Sequence, residues 1–139
     1  MLAVNYKNLL TRMYPELPRI FNLETAAYLH SATAANVSVA TFYLPKGTGF
    51  ISSRYLIGIA VDDFEFIPTE ERNGFTVTPP TRTLQDLFKY EDLVDPQVTF
   101  DFVSWFASNL NINPCDYLDT KYHREVHGIL KEGWSHGNR

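Results

Sequence analysis

The sequence predicts a single α+β domain: a mostly antiparallel sheet of three to four strands in the middle of the chain, packed by helices from both ends. Three observations carry this. Runs of β-forming residues lie between residues 37 and 77, separated by breaks rich in Gly, Pro, Asp or Asn. Apolar stripes spaced three and four residues apart lie before and after that region. The 139 residues are 45% hydrophobic and 14% aromatic, enough for one core without disulfide or metal support. Short connections favour antiparallel neighbours, because a parallel pair needs a long crossover.

Residues 3–13 read as a short first helix with Leu2, Tyr6, Leu9, Leu10 and Met13 inward, broken by Pro15 and Pro18. Asn22 is positioned to cap the next helix, with Glu24 in its favourable first turn. Leu23, Ala26, Ala27 and His30 share one face of that helix, and the two alanines allow close approach to a neighbour. Val37 to Leu44 forms a strand with Val37, Val39, Thr41 and Tyr43 on one side, ended by the loop Pro45–Gly49. Tyr55 to Val61 is a short apolar strand, Asp62-Asp63 a turn, and Phe64 to Ile67 the return. Asn73-Gly74 is a turn signal before the strand in which Phe75 and Val77 alternate with Thr76 and Thr78. Pro79 and Pro80 stop the ladder, since neither donates a backbone N–H, and Pro80 fits the first position of a helix.

In that helix Leu84, Leu87 and Phe88 make the buried stripe. Arg82 and Asp86, one turn apart on a neighbouring face, are placed to pair. Residues 92–96 form a linker in which Asp95 caps and Pro96 opens a helix over 96–110. Its stripe is Val98, Phe102, Val103, Phe106 and Leu110. Asn113 and Pro114 repeat the device for a last helix running to about Glu132, with Leu118, Tyr122, Val126 and Ile129 inward and Gly133 as its stop.

Composition narrows the function. One cysteine, Cys115, leaves no internal disulfide framework and fits a reducing cytoplasm. No basic-plus-apolar leader opens the sequence, and no apolar run approaches the ~18 residues of a membrane span. A net charge of −4, with 12 scattered basic residues, argues against a dedicated nucleic-acid surface. A basic patch assembled in three dimensions stays open.

Several constellations invite chemistry. His123 and His127 are four apart on the last helix, a spacing that can put two imidazoles on one metal. Arg124 stands where the zinc-peptidase pattern has its glutamate, so a solvated helix face is the simpler reading. Asp62, Asp63, Glu65, Glu70 and Glu71 are the densest acidic region, open to turn chemistry, to a divalent cation, or to a basic partner. Lys46-Gly47-Thr48-Gly49 lacks the frame of a phosphate loop and reads as a turn. Cys115 sits near a predicted helix start, which can lower a thiol pKa, and His30, His123, His127 and His136 are possible bases; an incidental cysteine is the commoner case. Trp105, Tyr117 and Trp134 are candidate interface aromatics. Arg82, Thr83 and Asp86 either lock the strand–turn–helix corner through backbone groups or form part of a partner-binding face.

The run Pro80-Thr81-Arg82-Thr83-Leu84-Gln85-Asp86-Leu87 resembles the Pro-x-Arg-Thr-Leu-x-Asp-Leu signature of the AbiE-type (AbiEi-like) antitoxins, the type IV toxin–antitoxin and abortive-infection regulators. Phe21 to His30 is similar to that family's early helix, and Thr41 to Gly47 to its strand ending in proline. The likeness spans roughly residues 20–90. It implies a non-enzymatic antitoxin domain over 1–139, without cofactor or metal, acting in phage defence against a nucleotidyltransferase-like toxin. Its motif residues would be Arg82, Thr83 and Asp86. The family's regulators place a winged helix-turn-helix before this domain. Only about 20 residues precede the helix here, so the expectation is a cytoplasmic protein that does not bind DNA alone. The alternatives are a metal-dependent hydrolase or nuclease-like enzyme using the acidic stretch or the His123/His127 pair, and a plain interaction domain.

Overall fold

A computed structural model describes residues 17–34 and 39–137, with side chains described as far as Glu132. The helix expected over 3–13 and Val37 lie outside the described residues. Within them the chain is α+β, with a five-stranded sheet: β1 (Ile20–Phe21), β2 (Ala40–Pro45), β3 (Leu56–Val61), β4 (Glu70–Arg72) and β5 (Phe75–Val77). The helices are α1 (Leu23–Leu29), α2 (Pro80–Lys89), α3 (Pro96–Leu110) and α4 (His123–Gly137).

The sheet is mixed rather than mostly antiparallel, in the order β3-β2-β1-β5-β4. β1–β2 and β4–β5 are antiparallel, while β1–β5 and β2–β3 are parallel. The expectation failed for two physical reasons. The first is that the connection from β2 to β3 is not short: it takes ten residues, 46–55, and ten extended residues reach about 33 Å, well beyond the roughly 20 Å needed to run back along a six-residue strand. The second is β1, a two-residue rung that no periodicity can reveal. It bridges β2 to β5, with Phe21 opposite both Phe42 and Val77.

The return strand was also misplaced. Phe64–Phe66 is a 3-10 turn, and the returning strand is β4, made of Glu70, Glu71 and Arg72. Polar edge residues carry no alternation of hydrophobicity, so they hide a strand from a pattern search. The Asn73-Gly74 turn does close this hairpin: both residues have positive φ, 53° and 85°, as a primed two-residue turn requires. Glu71 accepts a hydrogen bond from Thr76 Oγ1 at 2.8 Å, and Glu70 pairs with Arg72 at 2.9 Å. Asp62 pairs with Lys46 at 3.1 Å. Those acidic residues therefore serve local bonds.

β2 is buried on both faces. Ala40, Phe42 and Leu44 pack with Phe21, Val77, Ala26 and Leu29, while Tyr43 packs with Ile20 and Ile67 on the other side. The largest cluster joins the helices: Leu23 and Ala27 of α1, Leu84, Leu87 and Phe88 of α2, Val98, Phe102, Val103 and Phe106 of α3, and Val126 of α4. The predicted stripes of α2 and α3 point into it, whereas that of α1 is divided, Leu23 and Ala27 facing this cluster and Ala26 the sheet cluster, and Leu118 and Tyr122, expected on the last helix, pack against it from outside α4. Gly58 marks tight packing between strand and sheet face. A Cβ there would stand 2.8 Å from Leu44 Cδ2 and 3.0 Å from the Phe50 ring, and Leu44 is itself buried. Gly58→Val is expected to destabilise by about 1–3 kcal/mol through overpacking, measured by urea unfolding.

Asp95 caps α3 as expected, accepting from the Gln97 amide at 2.9 Å, and Asn111 ends it in the left-handed conformation with φ 55°. The last helix does not begin at Pro114. Asn113 caps a 3-10 turn, Pro114–Tyr117; the chain extends at Leu118, makes a second turn over Thr120–Tyr122, and only then enters α4. The break is stabilised by His123, whose Nε2 lies 3.0 Å from the Leu118 carbonyl and bonds a group that a continuous helix would satisfy internally. Gly133 does not stop α4, which continues to Gly137.

Candidate functional site

The site is built where three separate segments meet: the β1–α1 junction, β2, and the β5–α2 corner. At the first junction the backbone is forced. Leu23 is fully buried yet has φ 45°, a left-handed conformation costing a branched residue about 1–2 kcal/mol. The geometry is held by β2: the Asn22 amide donates to the Thr41 carbonyl at 3.1 Å, and Thr41 Oγ1 donates to the Asn22 carbonyl at 2.7 Å. The Thr41 amide in turn donates to Thr25 Oγ1 at 2.8 Å. Asn22 occupies the N-cap position, but its side chain caps nothing. The side-chain carboxamide is fully buried and makes no hydrogen bond among the described residues.

The β5–α2 corner follows from its prolines. Pro79 is the N-cap with extended backbone (φ −68°, ψ 167°), and Pro80 opens α2. Thr83 and Thr78 are both fully buried. Thr83 Oγ1 donates to the Thr78 carbonyl at 3.0 Å and lies 2.7 Å from Thr78 Oγ1. The Thr78 amide donates to the Phe21 carbonyl at 3.0 Å, so this corner is continuous with β1.

His30, at the end of α1, reaches the same point. Its Nε2 stands 2.9 Å from the Thr78 carbonyl and, facing an acceptor, must carry the proton. The ring stacks on Trp105 at 6.0 Å and meets Phe102 edge-on at 6.4 Å. Nδ1 is buried without a partner among the described residues. Burial lowers the His30 pKa from its ordinary 6.5, opposed by the bond to Thr78. A lowered native pKa keeps the ring neutral when folded, while the unfolded chain takes up a proton below about pH 6.5. Stability from this residue is therefore present above that pH and lost below it, by up to ~1.4 kcal/mol per pH unit until the native pKa is reached. Urea unfolding between pH 7 and 5 should show this slope, and His30→Gln, which can still donate to Thr78, should remove its share.

The third contact joins α2 to β2. Arg82 Nε donates to Asp86 Oδ1 at 3.0 Å, and the guanidinium carbon sits 5.4 Å from the centre of the Tyr43 ring. Asp86 is 1% exposed, whereas the Arg82 side chain keeps 23%. Burial raises the Asp86 pKa above its ordinary value, against the pull of Arg82. Burial also pushes the Tyr43 phenol far up, and the Asp86 charge adds to it. Desolvation opposes the Arg82 charge, but Tyr43 and Asp86 outweigh it and hold the guanidinium protonated. The Tyr43 hydroxyl and Asp86 Oδ2 are buried without a well-formed hydrogen bond among the described residues. Cation–π contact with Tyr43 thus supplements a single charge-assisted bond.

Arg82, Thr83 and Asp86 are accordingly brought together on one helix, with Thr83 and Asp86 sealed inside and an edge of Arg82 reaching solvent. His30, Tyr43 and Thr78 complete the constellation without having been singled out for it. The signals were a polar residue on the apolar face of a helix, a tyrosine at an inward strand position, and a threonine directly before two prolines.

The other candidates lie elsewhere. The His123 and His127 rings are 6.4 Å apart, with His123 committed to Leu118. Cys115 is buried, and its thiol is pushed up by burial and by Asp116, opposite to activation. Trp105 is half-buried against His30 and Phe102 rather than free, Tyr117 is exposed, and the Trp134 side chain lies outside the described residues. Among the described residues no three His, Cys, Asp or Glu side chains group to hold a metal, and no helix is long and apolar enough to cross a membrane. Neither protein-family models nor curated proteins give a match to this chain.

Proposed function

We propose that this chain is an antitoxin-like, non-enzymatic regulatory protein of a type IV toxin–antitoxin or abortive-infection system, counteracting a nucleotidyltransferase-like toxin. One observation carries the reading. The three segments that resemble the AbiE-type antitoxins, distant in sequence, are bonded into one unit: Thr41 to Thr25, His30 to Thr78, and Arg82 over Tyr43. In this reading Thr83 and Asp86 hold the corner, and the exposed edge of Arg82 belongs to the face that meets the partner. The acidic balance of the chain supports a protein partner over DNA.

The test is co-expression with a nucleotidyltransferase-like toxin encoded beside this chain. Growth restored by the wild-type chain is the expected result. Undiminished toxicity, or a stoichiometric metal that survives dialysis of the purified protein, would contradict the proposal. The companion expectation, that this chain does not read DNA alone, fails if a mobility-shift assay with its upstream DNA gives tight binding at moderate salt.

A further inference from the structure

We propose that the groove between the end of α2 and the α3–α4 pair is a docking site for a basic, amphipathic segment of a partner protein. The groove encloses about 460 Å³ and is lined by none of the polar residues of the Arg82 corner. Its floor is apolar, built from Leu87, Val94, Phe100 and Ile129. Its rim is acidic, and the acids come from different elements: Glu91 and Asp92 from the 3-10 turn Glu91–Leu93 that follows α2, and Glu125 from α4. All three carboxylates are exposed, and none takes part in an ion pair among the described residues.

This arrangement selects its occupant by chemistry. An apolar floor accepts leucine- or phenylalanine-like side chains, and carboxylates on the rim call for Lys or Arg flanking them. Each exposed carboxylate alone binds a cation weakly, so a single small ion gains little; a segment presenting several cations around an apolar anchor engages rim and floor together. A second copy of this chain is disfavoured because each copy carries a net charge of −4. The proposal stands independently of the toxin–antitoxin reading, since it rests on the groove and its charges alone.

The experiment titrates the full chain with a short helical peptide of leucines and lysines in amphipathic order, followed by heteronuclear NMR. Expected are shifts confined to residues 87–100 and 125–129, binding that weakens with salt, and affinity reduced about tenfold in the triple variant E91Q/D92N/E125Q. The variant changes only exposed positions and should keep wild-type unfolding behaviour, which is measured alongside. The proposal is overturned if the peptide does not bind, if its shifts map to another surface, if a leucine–glutamate peptide of the same pattern binds equally well, or if the triple variant binds as the wild type does.

Discussion

Replacing Arg82 by alanine is expected to destabilise the protein by about 3–5 kcal/mol, the range for removing one partner of a buried ion pair. The reasoning is asymmetric. Asp86 is 1% exposed and has nowhere to go, so without Arg82 its charge is left in a low-dielectric site beside an aromatic ring. Arg82 keeps an outlet to water, so Asp86→Asn, which conserves shape and removes the charge, should cost less, about 1–2 kcal/mol. The two also differ in pH behaviour. Burial already raises the Asp86 pKa with Arg82 present. In Arg82→Ala the lowering influence is gone and the native pKa rises further above the unfolded value. A group with a raised native pKa regains stability as pH falls through that pKa. The deficit of Arg82→Ala relative to wild type should therefore shrink on acidification towards pH 4, whereas that of Asp86→Asn should not. Urea unfolding at several pH values reads both.

Phe88→Ala is the second large effect, expected at about 3–5 kcal/mol. Phe88 is 1% exposed and its ring centre lies 5.0 Å from that of Tyr122, so it joins α2 to the turn that precedes α4. α2 is also tied to the earlier 3-10 turn, Pro114–Tyr117, by Gln85 Nε2, which donates to the Tyr117 carbonyl at 3.0 Å. Truncation leaves a cavity among Leu84, Leu87, Phe102 and Val126, side chains of three helices that cannot all relax toward one another. The loss should appear as a lower urea midpoint with an unchanged slope, because the folded state keeps its extent.

What the residues disclosed in advance follows from how local each feature is. The start and buried face of α2 and both ends of α3 were legible, because Pro80, Asp95 and Pro96 fix the starts and three-and-four spacing fixes the buried faces. The Asn73-Gly74 turn was legible because few other residue pairs tolerate two positive φ values. The sheet order was not, because it depends on β1, two residues long, and on a loop whose course no composition specifies. β4 was missed because Glu70, Glu71 and Arg72 gain their strand conformation from pairing with β5, not from their own propensity. The start of α4 was misplaced because Asn113-Pro114 caps a 3-10 turn as well as it caps a helix, and the deciding bond, from His123 back to Leu118, spans five residues.

At the site, the Arg82–Asp86 pair was legible from helical spacing alone. The roles of His30 and Tyr43 were not, since their partners lie 48 and 39 residues away and meet them only once the sheet has formed. That long reach explains why the corner matters: it is where the β1–α1 junction, β2 and α2 become one body. The strained backbone at Leu23 and the Asn22 side-chain carboxamide, unbonded among the described residues, sit inside this body, held by Thr41.

A double-mutant cycle on Arg82 and Asp86, measured by urea unfolding, tests this most directly. The corner acting as a buried, mutually dependent lock predicts that Arg82→Ala/Asp86→Ala loses clearly less than the sum of the two single variants, with a coupling above ~1 kcal/mol, and is no less stable than Arg82→Ala alone. Losses that add to within ~0.5 kcal/mol would mean the two residues are independent neighbours, and the lock does not exist.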